Sequence, residues 1–170
     1  MDFKSYIRVI KDFPKEGILF KDITPLLKDA TALKAATNAL LELVGSVEID
    51  KVVGMESRGF LFAPSLAIAL NAGFVPVRKA GKLPAETLSE SYSLEYGEAI
   101  LEIHADSIQK GDRVLIHDDV LATGGTANAV CKLIQGMGGE IVQCNFLVEL
   151  DFLQGRNILN DFQVKSLLQY

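Results

Sequence analysis

The sequence predicts an α/β domain with a mainly parallel central sheet, and three observations carry that prediction. Short apolar, β-branched runs alternate with segments whose apolar residues recur at helical spacing. One of those runs, "RVLIHDD", leads through a turn of small residues straight into a helix-forming stretch. The 170 residues suffice for one domain with a substantial core, and no linker-like composition marks a second.

Residues 14–27, "PKEGILFKDITPLL", read as an ordered extension ahead of the first clear helix. That helix, "TALKAATNALLELV", places Leu33, Ala36, Leu40 and Leu43 on one face. "DKVVGM" is a short apolar strand, and "FLFAPSLAIALNAG" a helix ending at Gly73. "FVPVRK" is the next strand, and Pro76, which has no N–H to donate, marks a sheet edge or an end of pairing. Residues 79–97, "KAGKLPAETLSESYSLEYG", form a long polar connection of the kind that serves as a lid or stays disordered. "EAILEIHA" partly alternates, as a half-exposed strand does, and "RVLIHD" is a buried strand. "TANAVCKLIQGM" is a helix, "GMGGE" its C-terminal turn, and "EIVQCNFLVEL" the strand after it.

A formal net charge of −5 argues against non-specific nucleic-acid binding, yet leaves room for a local cationic site for a phosphorylated small molecule. No apolar run is long enough to span a bilayer. The start, "MDFKSYIRVIKDF", lacks the apolar centre of a signal peptide, so a cytoplasmic location is expected. Cys131 and Cys144 sit apart in apolar segments without CxxC or Cys/His spacing, which reads as two buried free thiols.

The chemistry concentrates in "HDDVLATGGTANAV". A helix N-terminus after a strand and a short turn presents unsatisfied N–H donors and a partial positive charge, which suits an anion. Gly124 and Gly125 let backbone approach a ligand, and Thr123 and Thr126 add hydroxyl donors. Asp118 and Asp119 would repel a phosphate, so they need sugar hydroxyls or a hydrated Mg²⁺. As consecutive strand residues they face opposite ways and differ in role. The bland alternative is a tightly packed helix start with acids near its dipole. No GxxxxGK[ST] or GxGxxG motif competes.

"VLIHDDVLATGGT" resembles the phosphoribosyl pyrophosphate (PRPP) motif of the type I phosphoribosyltransferases. "FPKEGILFKDITPLLKD", "GMESRGFLFAPSLA" and "VRKAGKLPAETLSESYSLEYG" resemble the adenine phosphoribosyltransferase family in particular, in its order and spacing. The terminal "SLLQY" is similar too, and the resemblance covers most of the chain from Phe13 to Leu150.

That resemblance implies the type I fold, with an N-terminal hood at about 1–30 and a mobile lid loop at about 79–97. It implies transfer of phosphoribosyl from PRPP to adenine, giving AMP and pyrophosphate, with Mg²⁺ as cofactor and a homodimer as assembly. The 5-phosphate would lie in the loop of Ala122, Thr123, Gly124, Gly125 and Thr126, and the ribose hydroxyls on Asp118 and Asp119, directly or through metal and water. Arg58 would contact pyrophosphate, with Arg78 as companion, in cis or donated across a dimer, and with Lys79 and Lys82 at the lid's start. An arginine's planar fork suits phosphate oxygens; the alternative makes Arg58 a surface ion pair with Glu56. Glu95 would be the acid/base for the purine, or else a solvated loop carboxylate. Phe20 would stack on adenine while the backbone of Leu19 and Lys21 reads its amino edge.

Two positions depart from the family pattern: Lys21 replaces a frequent Arg, and His117 replaces an aliphatic residue. Strand alternation turns His117 away from Asp118, which favours a structural histidine over a general base. His104 has no partner spacing. A sibling enzyme acting on another purine such as xanthine is the alternative, and the "GILFKDITP" and "YSLEYG" stretches favour adenine over it. A PRPP-sensing regulator would carry a basic helix-turn-helix, which this chain lacks.

Overall fold

A computed structural model describes residues 1–93 and 98–170. The chain divides into two compact units, Met1–Ala39 and Leu40–Tyr170. In the first, β1 (Arg8–Lys11) and β2 (Leu19–Asp22) pair antiparallel, with Arg8 opposite Asp22 and Lys11 opposite Leu19. The extension read from the sequence is thus β2 followed by α1 (Thr24–Lys28), with Pro25 in its first turn, where a missing N–H costs nothing. Asp22 ties the unit together, accepting from Arg8 Nε at 2.9 Å, Thr24 N at 2.9 Å and Thr24 Oγ1 at 2.8 Å. Burial pushes the Asp22 carboxyl up, but the Thr24 N–H and the Arg8 guanidinium outweigh it and hold it below the ordinary carboxylate range.

Helix α2 (Ala30–Val44) begins on an Asp29 carboxylate that accepts from the Ala32 N–H at 2.8 Å. Its fully buried stripe is Ala32, Ala36, Leu40 and Val44, with Leu33 and Leu43 only at the rim. Ala36 and Leu40 of the expected face are buried, while Ala32 and Val44 replace Leu33 and Leu43 at its ends.

The second unit holds a seven-stranded sheet of β3 (Lys51–Met55), β4 (Gly73–Lys79), β5 (Thr87–Ser93), β6 (Glu98–His104), β7 (Arg113–Leu121), β8 (Glu140–Glu149) and β9 (Val164–Gln169). The order is β5-β6-β4-β3-β7-β8-β9. Pairs β4–β3, β3–β7, β7–β8 and β8–β9 are parallel, and the β5–β6 hairpin adds antiparallel to β4. Helix α3 (Ala63–Ala69) links β3 to β4, and α4 (Gly125–Gly136) links β7 to β8. Among the described residues no helix is long and apolar enough to cross a membrane.

Four differences from the sequence reading have physical causes. Residues 87–93 of the polar connection are strand β5, paired from Thr87 opposite His104 to Ser93 opposite Glu98. The partner strand supplies the buried Leu101 and Ile103, so β5 itself need not be apolar. Helix α3 covers only seven residues, preceded by a 3₁₀ turn at Arg58–Leu61, and Gly73 opens β4 instead of closing the helix. Pro76 is not on an edge strand but at an end of pairing: β4 pairs with β3 over Gly73–Val77 and with β6 only from Arg78 onward, so Pro76 sits where the second ladder has not begun. Strand β7 does not stop at the acids but runs to Leu121.

Alternation along β7 defines two layers. Ile116 joins Val53, Val77, Cys144 and Phe146 in a core closed by Ala127, Val130 and Ile134 of α4. His117 faces the other way, its ring edge-on to Phe62 at 6.0 Å, at the start of α3. Cys131 and Cys144 are buried free thiols with sulfurs 3.8 Å apart. After β3 the chain moves to one side, to β4; after β7 it moves to the other, to β8. The crevice at the carboxyl ends of β3 and β7 is therefore the topological switch point where open α/β sheets bind ligands.

Candidate active site

The turn from β7 into α4 lies at that switch point. Gly124 is the residue before the helix, left-handed at φ 84°, and no side chain caps it. The first N–H groups of a helix have no intrahelical acceptor, so those of Gly125, Thr126 and Ala127 face the turn as donors. A small pocket of about 60 Å³ opens there, lined by Asp118, Ala122, Thr123, Gly124 and Thr126, among others. Four of the five residues expected to bind phosphate, all but Gly125, thus share one concave, N–H-rich surface with one of the two acids.

The acids separate as alternation requires. Asp118 lines the pocket on the α4 side, while Asp119 lies 3.1 Å from Arg58 Nε on the opposite side. That approach makes an ion pair but is not aligned as a hydrogen bond, and Asp119 Oδ2 has no hydrogen-bond partner. Asp118 Oδ1 accepts from the Asp119 N–H at 2.9 Å. Burial raises the Asp118 carboxyl well above its ordinary range and the Asp119 charge adds to the shift. Burial also raises Asp119, against the pull of Arg58. Two desolvated acids on consecutive residues attract hydroxyl protons or a cation.

Arg58 sits in the 3₁₀ turn after β3. Its neighbour Gly59 is required by packing, because a Cβ there would fall 2.8 Å from the His117 carbonyl of β7. The pairing considered for Arg58 in sequence, with Glu56, gives way to the ion pair with Asp119. Glu56 instead gathers the other cations: Lys82 Nζ at 2.6 Å, Arg78 Nε at 3.3 Å and the Lys79 N–H at 2.8 Å. Burial pushes the Glu56 carboxyl up, yet Lys82 and the Lys79 N–H prevail and bring it to about 2. Arg78, Lys79 and Lys82 therefore converge at the end of β4. Glu56 is the residue that sequence reasoning undervalued.

The adenine candidates belong to the first unit. Phe20 lies in β2, edge-on to Phe13 at 5.1 Å, and Leu19 is exposed. In a two-stranded ladder, Leu19 and Lys21 present their backbone groups to the same side. Glu95 lies outside the described residues.

His117 is fully buried, and its Nδ1 is 3.1 Å from Asn145 Oδ1. Asn145 Nδ2 donates to Leu40 O and to Gln143 Oε1, so Asn145 Oδ1 must accept and the His117 proton must sit on Nδ1. Gln143 continues the chain of bonds to Leu43 O and Gln163. Burial pushes His117 down to about 4 against the Asn145 bond, leaving it neutral at pH 7. It is a structural histidine. The signal available in sequence was the pair of polar residues, Gln143 and Asn145, on one face of an otherwise apolar strand.

An α/β sheet with a helix N-terminus free of a side-chain cap, two desolvated acids at its switch point, and cations paired to Asp119 and Glu56 beyond the ends of β3 and β4 has the parts needed to bind a phosphorylated sugar. The phosphoribosyl transferase domain family matches residues 23–157, and the chain belongs to that family. It is 61% identical, over 100% of its own length and 99% of the relative's, to an adenine phosphoribosyltransferase of Christiangramia forsetii. Its structure resembles the crystal structure of adenine phosphoribosyltransferase from Rhodothermus marinus, with 56% identity, a TM-score of 0.94, and coverage of 99% and 96% of the two chains. It also resembles the Saccharomyces cerevisiae enzyme complexed with an imino-altritol bisphosphate and adenine, with 44% identity, a TM-score of 0.93, and coverage of 98% and 97%.

Proposed function

We propose that the protein transfers the 5-phosphoribosyl group of PRPP to adenine, releasing pyrophosphate and forming AMP for purine salvage. The observation that carries this reading is the β7–α4 turn, in which the pocket's N–H donors and Asp118 share one wall. The adenine phosphoribosyltransferase relatives, including one bound to adenine, support the choice of base.

The 5-phosphate sits on the N–H groups of Ala122 to Thr126 and the hydroxyls of Thr123 and Thr126. Asp118 and Asp119 accept from the ribose hydroxyls. As the bond from the anomeric carbon to the pyrophosphate oxygen breaks, negative charge grows on the leaving group. Arg58, Arg78, Lys79 and Lys82 balance that charge, and Lys82 moves from Glu56 to do so. Adenine N9 forms the new bond, and Glu95 handles the proton displaced from the ring. Phe20 stacks on the purine, and the Leu19 and Lys21 backbone reads its amino edge. The segment 79–97 shields the cationic sugar from water.

Mg²⁺ fits this site. Among the described residues no three His, Cys, Asp or Glu side chains gather into a cage. Mg²⁺ is usually held by one or two carboxylates together with substrate phosphates, a role open to Asp118 or Asp119 through water. When bound, the ion neutralises pyrophosphate charge. The exposed Leu61, Ile68 and Phe74, on elements flanking Arg58, support a homodimer built on that side. The test is direct: protein, PRPP, Mg²⁺ and adenine must yield AMP and pyrophosphate in equal amounts, and no AMP would refute the proposal.

A further inference from the structure

We infer that Gly155 and Arg156 are positioning residues for the phosphate loop, through a direct backbone-to-backbone seat beneath it; this rests on the reading of Ala122–Thr126 as the 5-phosphate site. Gly155 opens a 3₁₀ turn, Gly155–Leu159, far along the chain from the loop. A Cβ placed on Gly155 would lie 2.2 Å from the Ala122 carbonyl oxygen and 3.1 Å from the Gly124 nitrogen. Reciprocally, a Cβ on Gly124 would lie 2.5 Å from the Gly155 carbonyl oxygen and 2.8 Å from Ile158 Cγ2. Two main chains meet here with no room for a methyl group on either. Ala122 and Gly124, which this turn touches, both also line the pocket.

The seat is itself anchored. Arg156 donates from Nε to Glu149 Oε1 at 2.5 Å and from Nη2 to Glu149 Oε2 at 2.7 Å, a fork onto the last residue of β8. Its Nη1 donates to the Val164 carbonyl at 2.9 Å, and Nη2 also reaches Ser166 Oγ at 3.0 Å, both in β9. Ser166 donates to Glu149 as well. At the other end Leu159 is fully buried in the core with Leu121, the last residue of β7. Arg156 therefore sets the position of the turn against β8 and β9, and Gly155 transmits that position to Ala122 and Gly124. A methyl group on Gly155 must part the turn from Ala122 and Gly124, two residues that line the pocket of about 60 Å³.

The experiment compares steady-state kinetics of Gly155→Ala, Arg156→Lys and Thr126→Val with those of the parent. A loop displaced by a fraction of an ångström to an ångström should raise the PRPP KM about tenfold to a hundredfold in Gly155→Ala. The adenine KM should stay within about twofold, because the base site is untouched. A purely structural defect lowers the folded fraction, and hence turnover, without moving KM. Arg156→Lys keeps the charge but loses the fork, and should shift the PRPP KM the same way by a smaller factor. It carries the test if Gly155→Ala does not fold. An unchanged PRPP KM in the folded variants, or equal rises for both substrates, overturns the inference. Thr126→Val separates the two levels: if it raises the PRPP KM while the seat variants do not, the seat fails and the phosphate site stands. If Thr126→Val has no effect either, the phosphate site itself is wrong.

Discussion

His117 sits two residues from Asp119 in the motif that carries the chemistry, so its replacement separates structural from catalytic roles. His117→Leu keeps similar bulk against Phe62 but removes the Nδ1–H donor to Asn145 Oδ1. Asn145 has spent both amide protons on Leu40 and Gln143, so its buried oxygen is left without a donor. That costs about 1–3 kcal/mol, or roughly 2–12 °C in Tm for a chain of this size. The pH dependence supplies a second signature. Burial holds His117 at about 4 against an ordinary 6.5. The unfolded chain thus takes up this proton below about pH 6.5, and the folded protein only below about pH 4. Parent stability therefore falls as pH drops through that window, by up to about 3 kcal/mol, and the leucine variant escapes this loss. Urea midpoints at pH 7.5 and pH 4.5 should show the parent ahead at the first and its lead erased at the second. Turnover at pH 7.5 should stay within about twofold, since a neutral, inward-facing ring touches no substrate. A tenfold loss of turnover, or a stability gap that ignores pH, refutes this reasoning.

Three other substitutions address the acids. Glu95→Gln should lower turnover about a hundredfold or more while leaving the PRPP KM nearly unchanged; an unaffected rate removes Glu95 from catalysis. Asp118→Asn and Asp119→Asn should each raise the PRPP KM about tenfold or more, and unchanged values in both would refute their grip on ribose or metal. Asp118→Asn has an opposite effect on the ligand-free fold. The folded carboxyl is raised by burial and by Asp119, so the folded state binds the proton more tightly than the unfolded chain. Stability then falls as pH climbs above the ordinary carboxylate range, and the uncharged variant should melt higher at pH 7.5 in the absence of ligand.

The parts of this molecule legible in its sequence were those dictated by local pattern. Apolar runs marked β3, β7 and β8, and the small-residue turn marked the start of α4 to within a residue. Opposite facing of Asp118 and Asp119 followed from strand alternation alone. What escaped depended on partners distant in sequence. Strand β5 is polar because β6 provides the buried side chains, and β9 has only a weak pattern of its own. Glu56 looks like any surface acid until β4 brings Arg78 and Lys82 to it, 22 and 26 residues later. Gly155 reads as an ordinary turn glycine, and only the fold reveals that Ala122 and Gly124 rest on it. His117 became interpretable through Asn145, its cross-strand neighbour 28 residues away.

The central claim is that this site joins the phosphoribosyl group to adenine in particular. Initial rates with saturating PRPP and Mg²⁺ should be measured side by side for adenine, hypoxanthine and xanthine. A site whose backbone reads the amino edge of the purine should favour adenine by a kcat/KM ratio of about 10⁴ or more, because a 6-oxo purine leaves those groups mispaired. Comparable or higher kcat/KM for hypoxanthine or xanthine would contradict the account, even if the sugar site behaved as described.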